Sequence, residues 1–266
     1  MQAQVNGVWV NYVEHGSGVP LVGLHGAGVD HREIEAAIEA MGPLEGYRRI
    51  YPDLPGMGRT TTGVSSLNGN DDVVTLLAAF IDHVVDRPFL LLGHSYGGYL
   101  ARGIVARAPE PVLGLALLCP VGERSRDVPQ HAVAEVDAEA YDELEPDQRA
   151  GFDEYFVLRT RATARRYRDC VVPGTELVDE EALRRIFAGW AIAIDSNAVT
   201  APTLIVAGRL DSSVGFASAL DLLPVYPQAT LAVLDRAGHA LPHEQPALLK
   251  ALLHDWLARS TSADRK

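Results

Sequence analysis

The stretch Gly93-His94-Ser95-Tyr96-Gly97 constrains this chain more than any other. It follows the apolar run Phe89-Leu90-Leu91-Leu92 and precedes Tyr99-Leu100-Ala101-Arg102-Gly103-Ile104-Val105-Ala106, which reads as a helix. A strand that turns directly into a helix at one serine leaves no room for side chains two residues to either side, and glycine stands at both positions. Such a turn strains the backbone of the serine and holds its hydroxyl above the carboxyl edge of a sheet. The N–H of Tyr96, at the head of the following helix, then faces the same point in space.

Around that turn, apolar strand-like segments alternate with helical ones. Val5 to Glu14 alternates apolar and polar residues about Asn6-Gly7 and reads as an edge strand or tight hairpin. Pro20 to Leu24 is a strand ending in His25-Gly26-Ala27-Gly28, with a helix expected over Arg32 to Met41. Arg48 to Tyr51 is a strand closed by Pro52-Asp53-Leu54-Pro55-Gly56-Met57-Gly58. Asn70-Asp71-Asp72 predicts a helix start with a capping side chain, and Val74, Leu77, Ala78 and Ile81 share one face of that helix. Further strands are expected at Val112 to Cys119, Pro202 to Ala207 and Thr230 to Leu234, then a last helix from Pro246 to Ala258 and a polar, fraying tail. Glu123 to Asn197 is different: dense in charge, without a convincing strand, with helices expected over Asp147–Arg168 and Asp179–Ile194. The pattern predicts an α/β fold with a mostly parallel central sheet flanked by helices. Residues 1–122 and 198–266 form the core, and residues 123–197 are inserted as a helical cap.

A serine hydroxyl is a poor nucleophile at neutral pH and needs a base beside it, most often histidine. Of nine histidines, His239 in Ala237-Gly238-His239-Ala240 follows the last strand, from whose carboxyl end a loop reaches over the sheet to Ser95. His243 is its local competitor. The imidazole needs an acceptor for its other N–H. Asp211, just past the strand ending at Ala207, is one candidate, and Glu123, after the strand that follows Ser95, is the alternative acid. Acyl transfer also needs donors for a developing oxyanion. The backbone N–H groups of Tyr96 and of Ala27, the latter flanked by glycines, are placed to supply them. His25 is expected to brace its loop, and His94 to pack within the turn.

Leu24-His25-Gly26, the Asp53 to Gly58 loop, Gly93 to Gly98, Gly208-Arg209-Leu210-Asp211 and Gly238-His239 together resemble the α/β-hydrolase superfamily, in its compact bacterial esterase, lactonase and C–C hydrolase branch. The resemblance spans nearly the whole chain outside the insertion. It implies Ser95 as nucleophile, Asp211 as acid, His239 as base, and Ala27 and Tyr96 as oxyanion donors, in the Ser, Asp, His order of that fold. The implied activity is cofactor-independent hydrolysis of a small carboxylic ester or lactone through an acyl-enzyme. C–C bond hydrolysis and perhydrolysis use similar machinery, and a non-catalytic ligand-binding or sensor protein on the same fold is the reading from another class. Dehalogenases and epoxide hydrolases of this fold carry aspartate at the turn, so Ser95 argues against both.

Composition removes other classes. A net charge of −12 opposes sequence-independent nucleic-acid binding and docking on anionic membranes. Two cysteines, Cys119 and Cys170, read as unpaired thiols in a reducing compartment. With no visible secretory signal and no stretch of transmembrane length, the expected setting is the cytoplasm. No phosphate-binding loop, dinucleotide fingerprint or metal-ligand spacing is present, so neither cofactor nor metal is expected. Arg159, Arg161, Arg165, Arg166 and Arg168, close to Tyr155 and Tyr167, could guide an anionic substrate; a solvated face balanced by the acidic stretch Glu135–Asp147 is the preferred reading. Phe187 and Trp190 are expected either to pack the cap or to line the pocket.

Overall fold

The computed structural model describes residues 1–42, 44–122, 124–194 and 199–262. β1 (Gln2–Val5) and β2 (Val8–Gly16) form an antiparallel hairpin, turned by Asn6 and Gly7 with φ of 49° and 82°. Two positive φ values in a two-residue turn match the twist of the flanking strands. β3 (Val19–Leu24), β4 (Tyr47–Pro52), β5 (Phe89–His94) and β6 (Val112–Leu118) follow in the chain. A two-residue parallel pair, β7 (Glu135–Val136) and β8 (Leu158–Arg159), lies in the segment between β6 and β9 (Thr203–Gly208); β10 (Ala229–Leu234) is last. The main sheet has the order β1-β2-β4-β3-β5-β6-β9-β10, antiparallel in its first two pairings and parallel from β4 onward.

Helices cover both faces. Leu91, Leu115, Leu117 and Ile205 pack on one face under α2 (Asn70–Val84) and α3 (Tyr96–Arg107) through Leu77, Phe80, Leu100 and Ile104. Leu90, Leu92, Ala116 and Leu204 point to the other, under α1 (His31–Glu39) and α10 (Pro246–Thr261) through Ile34, Ile38, Leu253 and Trp256. Consecutive residues of β5 thus serve opposite cores, which is why that strand is apolar without interruption.

The segment between β6 and β9 carries α4 (Arg149–Tyr155), α5 (Arg161–Arg166), α6 (Val172–Thr175) and α7 (Glu180–Ala188). Phe152, Phe156, Ala164 and Tyr167 form a small core of their own, seated on Val29 and Ala240 of the sheet-edge loops. The helix expected over Asp147–Arg168 is therefore two helices, parted where Leu158 and Arg159 turn into β8. Asn70 does not cap α2: the cap position is Gly69, and the Asn70 side chain accepts from the Tyr96 hydroxyl and donates to the Trp190 carbonyl. Phe187 and Trp190 pack on Tyr96 and Tyr99, the Trp190 ring stacked 5.3 Å from Tyr99, and do not line the cavity described below. Two short α-helices, α8 (Ala217–Leu220) and α9 (Leu241–Glu244), complete the chain. No helix among the described residues is long and apolar enough to cross a membrane.

Candidate active site

Ser95 stands between β5 and α3 with φ 51° and ψ −115°, a conformation a side-chain-bearing residue holds only when its surroundings impose it. The glycines on either side make that possible. A Cβ on Gly93 would lie 2.3 Å from the Gly97 carbonyl oxygen, and one on Gly97 would lie 2.4 Å from that of Leu24. The serine backbone is locked from both sides: its N–H donates to Leu118 of β6, and its carbonyl accepts from Tyr99.

The loops after β9 and β10 bring two further side chains to the serine. The Ser95 hydroxyl lies 2.9 Å from Nε2 of His239, and Nδ1 of that ring lies 2.8 Å from Oδ2 of Asp211. A carboxylate only accepts, so Nδ1 carries the proton and Nε2 is left as the acceptor for the hydroxyl. The other Asp211 oxygen accepts the N–H groups of Ser213 and Val214. Burial drives the Asp211 carboxyl up, but the His239 ring and these two amides outweigh it and hold it below its ordinary value. His243 does not approach the serine; it is buried on α9 with Nε2 3.7 Å from Glu33. Glu123 lies outside the described residues.

Ala27 lines the cavity beside Ser95. Tyr96 is the first residue of α3, where an N–H has no acceptor within its helix. His25 braces the Ala27 loop: Nδ1 donates to the Gly26 carbonyl at 2.7 Å and Nε2 accepts from Leu54 at 2.9 Å, while burial lowers its affinity for a second proton. Asp53 secures the neighbouring loop, accepting from Asn11, His31 and the Arg59 amide. Two groups, His94 with Cys119 and His239, and Asp30 with His31 and Asp53, bring potential metal-ligating atoms within 4.8 Å of one another. A metal in the first would compete for the His239 nitrogens that hold Ser95 and Asp211; in the second it would displace the His31–Asp53 contact.

The model of the alpha/beta hydrolase family matches residues 21–252. The chain belongs to that family. It is 27% identical to a 2-hydroxy-6-oxo-2,4-heptadienoate hydrolase of Pseudomonas putida, over 95% of this chain and 94% of that one. It is 26% identical to a pimeloyl-[acyl-carrier protein] methyl ester esterase of Legionella pneumophila, over 85% and 90%. Among solved structures, an alpha/beta superfamily hydrolase from Oenococcus oeni superposes with a TM-score of 0.86 at 26% identity, covering 98% of this chain and all of the other.

In this alpha/beta hydrolase the carboxyl edge of the sheet opens into a cavity of about 510 Å³. Ser95, His94 and His239 form its floor with Gly26 to Val29, and Tyr155, Tyr167, Val171 and Thr175 come from the segment between β6 and β9. The arginines of that segment are elsewhere. Arg161, Arg165 and Arg168 converge on Glu143 at 2.8–3.1 Å, and Arg159 pairs with Asp153. Three further residues shape the site: Glu244 and Glu33, which sequence reasoning passed over, and Tyr155, which it noted only beside the arginines. Glu244 accepts from Gly238 at 2.6 Å with one oxygen and from Val157 and Leu158 with the other, joining the His239 loop to the inserted segment. Tyr155 sets its ring edge-on to His239 at 6.2 Å. Glu33 is completely buried beside His94. A glutamate two residues before a proline, a tyrosine in a charged helix and a first-turn acid carry no signal that distinguishes them in one sequence.

Proposed function

We propose that the chain is a cofactor-independent serine hydrolase that cleaves a small, uncharged carboxylic ester or lactone through an acyl-enzyme. The observation that carries this reading is the continuous line from Asp211 through His239 to Ser95, with links of 2.8 and 2.9 Å, ending on a serine held at positive φ. In this reading Ser95 Oγ attacks the carbonyl carbon while His239 Nε2 takes its proton, and Asp211 stabilises the imidazolium. The tetrahedral oxyanion accepts hydrogen bonds from the Ala27 and Tyr96 amides. As the carbonyl re-forms, the bond to the leaving oxygen breaks and His239 returns the proton to it. Water, deprotonated by the same ring, attacks the Ser95 ester; the acid departs and the serine is restored. Residues 123–197 serve as the cap that covers the site and selects the substrate.

The cavity supports the choice of an uncharged substrate. Among its described lining residues there is no lysine or arginine, and Glu154 stands exposed at its rim. The Pseudomonas putida relative is named for a dienoate, an anion; no described lining residue of this cavity brings a lysine or arginine to a carboxylate, which favours ester or lactone over C–C cleavage of such an acid. The free thiols of Cys119 and Cys170 suit a reducing, cytoplasmic setting.

The test is labelling with a small fluorophosphonate, followed by peptide mapping, alongside ester hydrolysis by Ser95→Ala. The expected result is one adduct per chain on Ser95 and a loss of about 10³-fold or more in rate for the variant. An adduct on another residue, a folded protein with no adduct, or a variant that keeps its rate would overturn the reading.

A further inference from the structure

Behind the His239 loop lies a buried pair of side chains that the proposed reaction leaves unused. Glu33 of α1 is 0% exposed and His94, at the end of β5, 1%. His94 Nε2 lies 3.0 Å from the backbone carbonyl oxygen of His239, and its Nδ1 lies 2.9 Å from Glu33 Oε1, off the line of a well-formed bond. The His94 ring also faces the His239 ring, with centroids 5.0 Å apart.

The protons in this chain of contacts can be counted. A carbonyl oxygen only accepts, so Nε2 of His94 carries hydrogen. A bare Nδ1 would then set its lone pair against a carboxylate oxygen at 2.9 Å with water excluded, an arrangement of high cost. A second proton on the imidazole turns that repulsion into a charge-assisted contact.

We propose that Glu33 keeps His94 doubly protonated, and that this buried ion pair is a positioning device for the base: His94 tethers the His239 backbone and sets a positive charge beside its ring. This rests on the reading of His239 as the general base. The tether fixes the backbone from which the His239 ring reaches Ser95. Burial alone would discharge both partners; their mutual attraction outweighs it, holding Glu33 far below the usual carboxylate range and lifting His94 above the usual histidine value.

The surrounding groups do not replace the pair. His25, Tyr155 and Cys170 lie in the field of Glu33, Asp211 acts on His94, and Arg166 acts on His243 and Cys170. His243, the remaining neighbour, is 3.7 Å from Glu33 Oε1, and burial keeps it neutral.

The experiment is a pH titration of the whole protein labelled with ¹⁵N-histidine, which reads each ring without requiring activity. At about pH 8 His94, assigned by its loss in His94→Gln, shows N–H couplings on both nitrogens. A His94 with one N–H overturns the proposal whatever the reaction proves to be. Glu33→Gln removes the counter-charge, so His94 becomes neutral and the positive charge beside His239 is lost. With that charge gone, the acid limb of kcat/KM moves to higher pH by about half a unit or more. A folded Glu33→Gln in which neither His94 nor the acid limb changes shows a merely structural role. Should that variant fail to fold, His94→Gln, which keeps an N–H donor for the His239 carbonyl and drops the charge, must produce the same upward shift. Loss of ester hydrolysis with His94 doubly protonated would instead count against the serine mechanism.

Discussion

Asp211 does two jobs with one carboxylate. One oxygen orients His239 and the other stiffens its own turn by accepting from Ser213 and Val214. Asp211→Asn should keep the turn bonds through the amide oxygen while presenting N–H to a ring that needs an acceptor. The expected outcome is a fall of about 10⁴-fold in kcat with thermal stability and circular dichroism nearly unchanged, measured at several pH values. Ser95, Asp211 and His239 were legible because each sits in a short local pattern at a strand end, where a loop has few places to go. Glu33 was not. Asp30-x-x-Glu33 has the form of a helix capping box, and Asp30 does cap α1, but the Glu33 carboxylate turns inward to His94. Its role comes from a residue 61 positions away and leaves no local trace.

At the scale of elements, the parallel strands and their helices could be read from alternation and apolar runs, since each buries its pattern against the sheet. The inserted segment could not, because its four α-helices are short and are held by contacts to other elements: Tyr167 and Phe152 to each other, Val29 and Ala240 beneath them. The α2 start shows the same competition. Asn70 had the makings of a cap, yet its amide is spent on Tyr96 and Trp190, tying α2, α3 and the chain after α7 together. Glu244 is another such tie. Burial raises its carboxyl to about 7, despite three backbone amides that favour the charged form. The folded state therefore binds a proton more tightly than the unfolded chain, and this group's contribution to stability falls as pH rises from about 4.5 to about 7 and is level above. Glu244→Gln turns one acceptor into a donor facing N–H groups and should lower the melting temperature. Thermal unfolding from pH 4.5 to 8 should show that deficit narrowing as pH rises, then staying constant.

The molecule as a whole carries −12, and no described residue of its cavity wall brings a lysine or arginine to offset that field. An ester bearing a carboxylate is repelled on approach and unpaired on arrival, whereas a neutral ester of the same size meets neither penalty. Steady-state kinetics on such a pair should favour the neutral ester at least about tenfold in kcat/KM, and added salt should raise the rate for the anion while leaving the neutral ester nearly unaffected. The arginines between 159 and 168 do not alter this, because four of them, Arg159, Arg161, Arg165 and Arg168, are paired with Glu139, Glu143, Asp153 and Asp169. The Glu244 carboxylate then acquires a meaning beyond stability. It fastens the inserted segment, at Val157 and Leu158, and the loop that carries His239, at Gly238, to a single anchor. A displacement of the inserted segment at Val157 and Leu158 is thereby transmitted through one side chain to Gly238, one residue before His239.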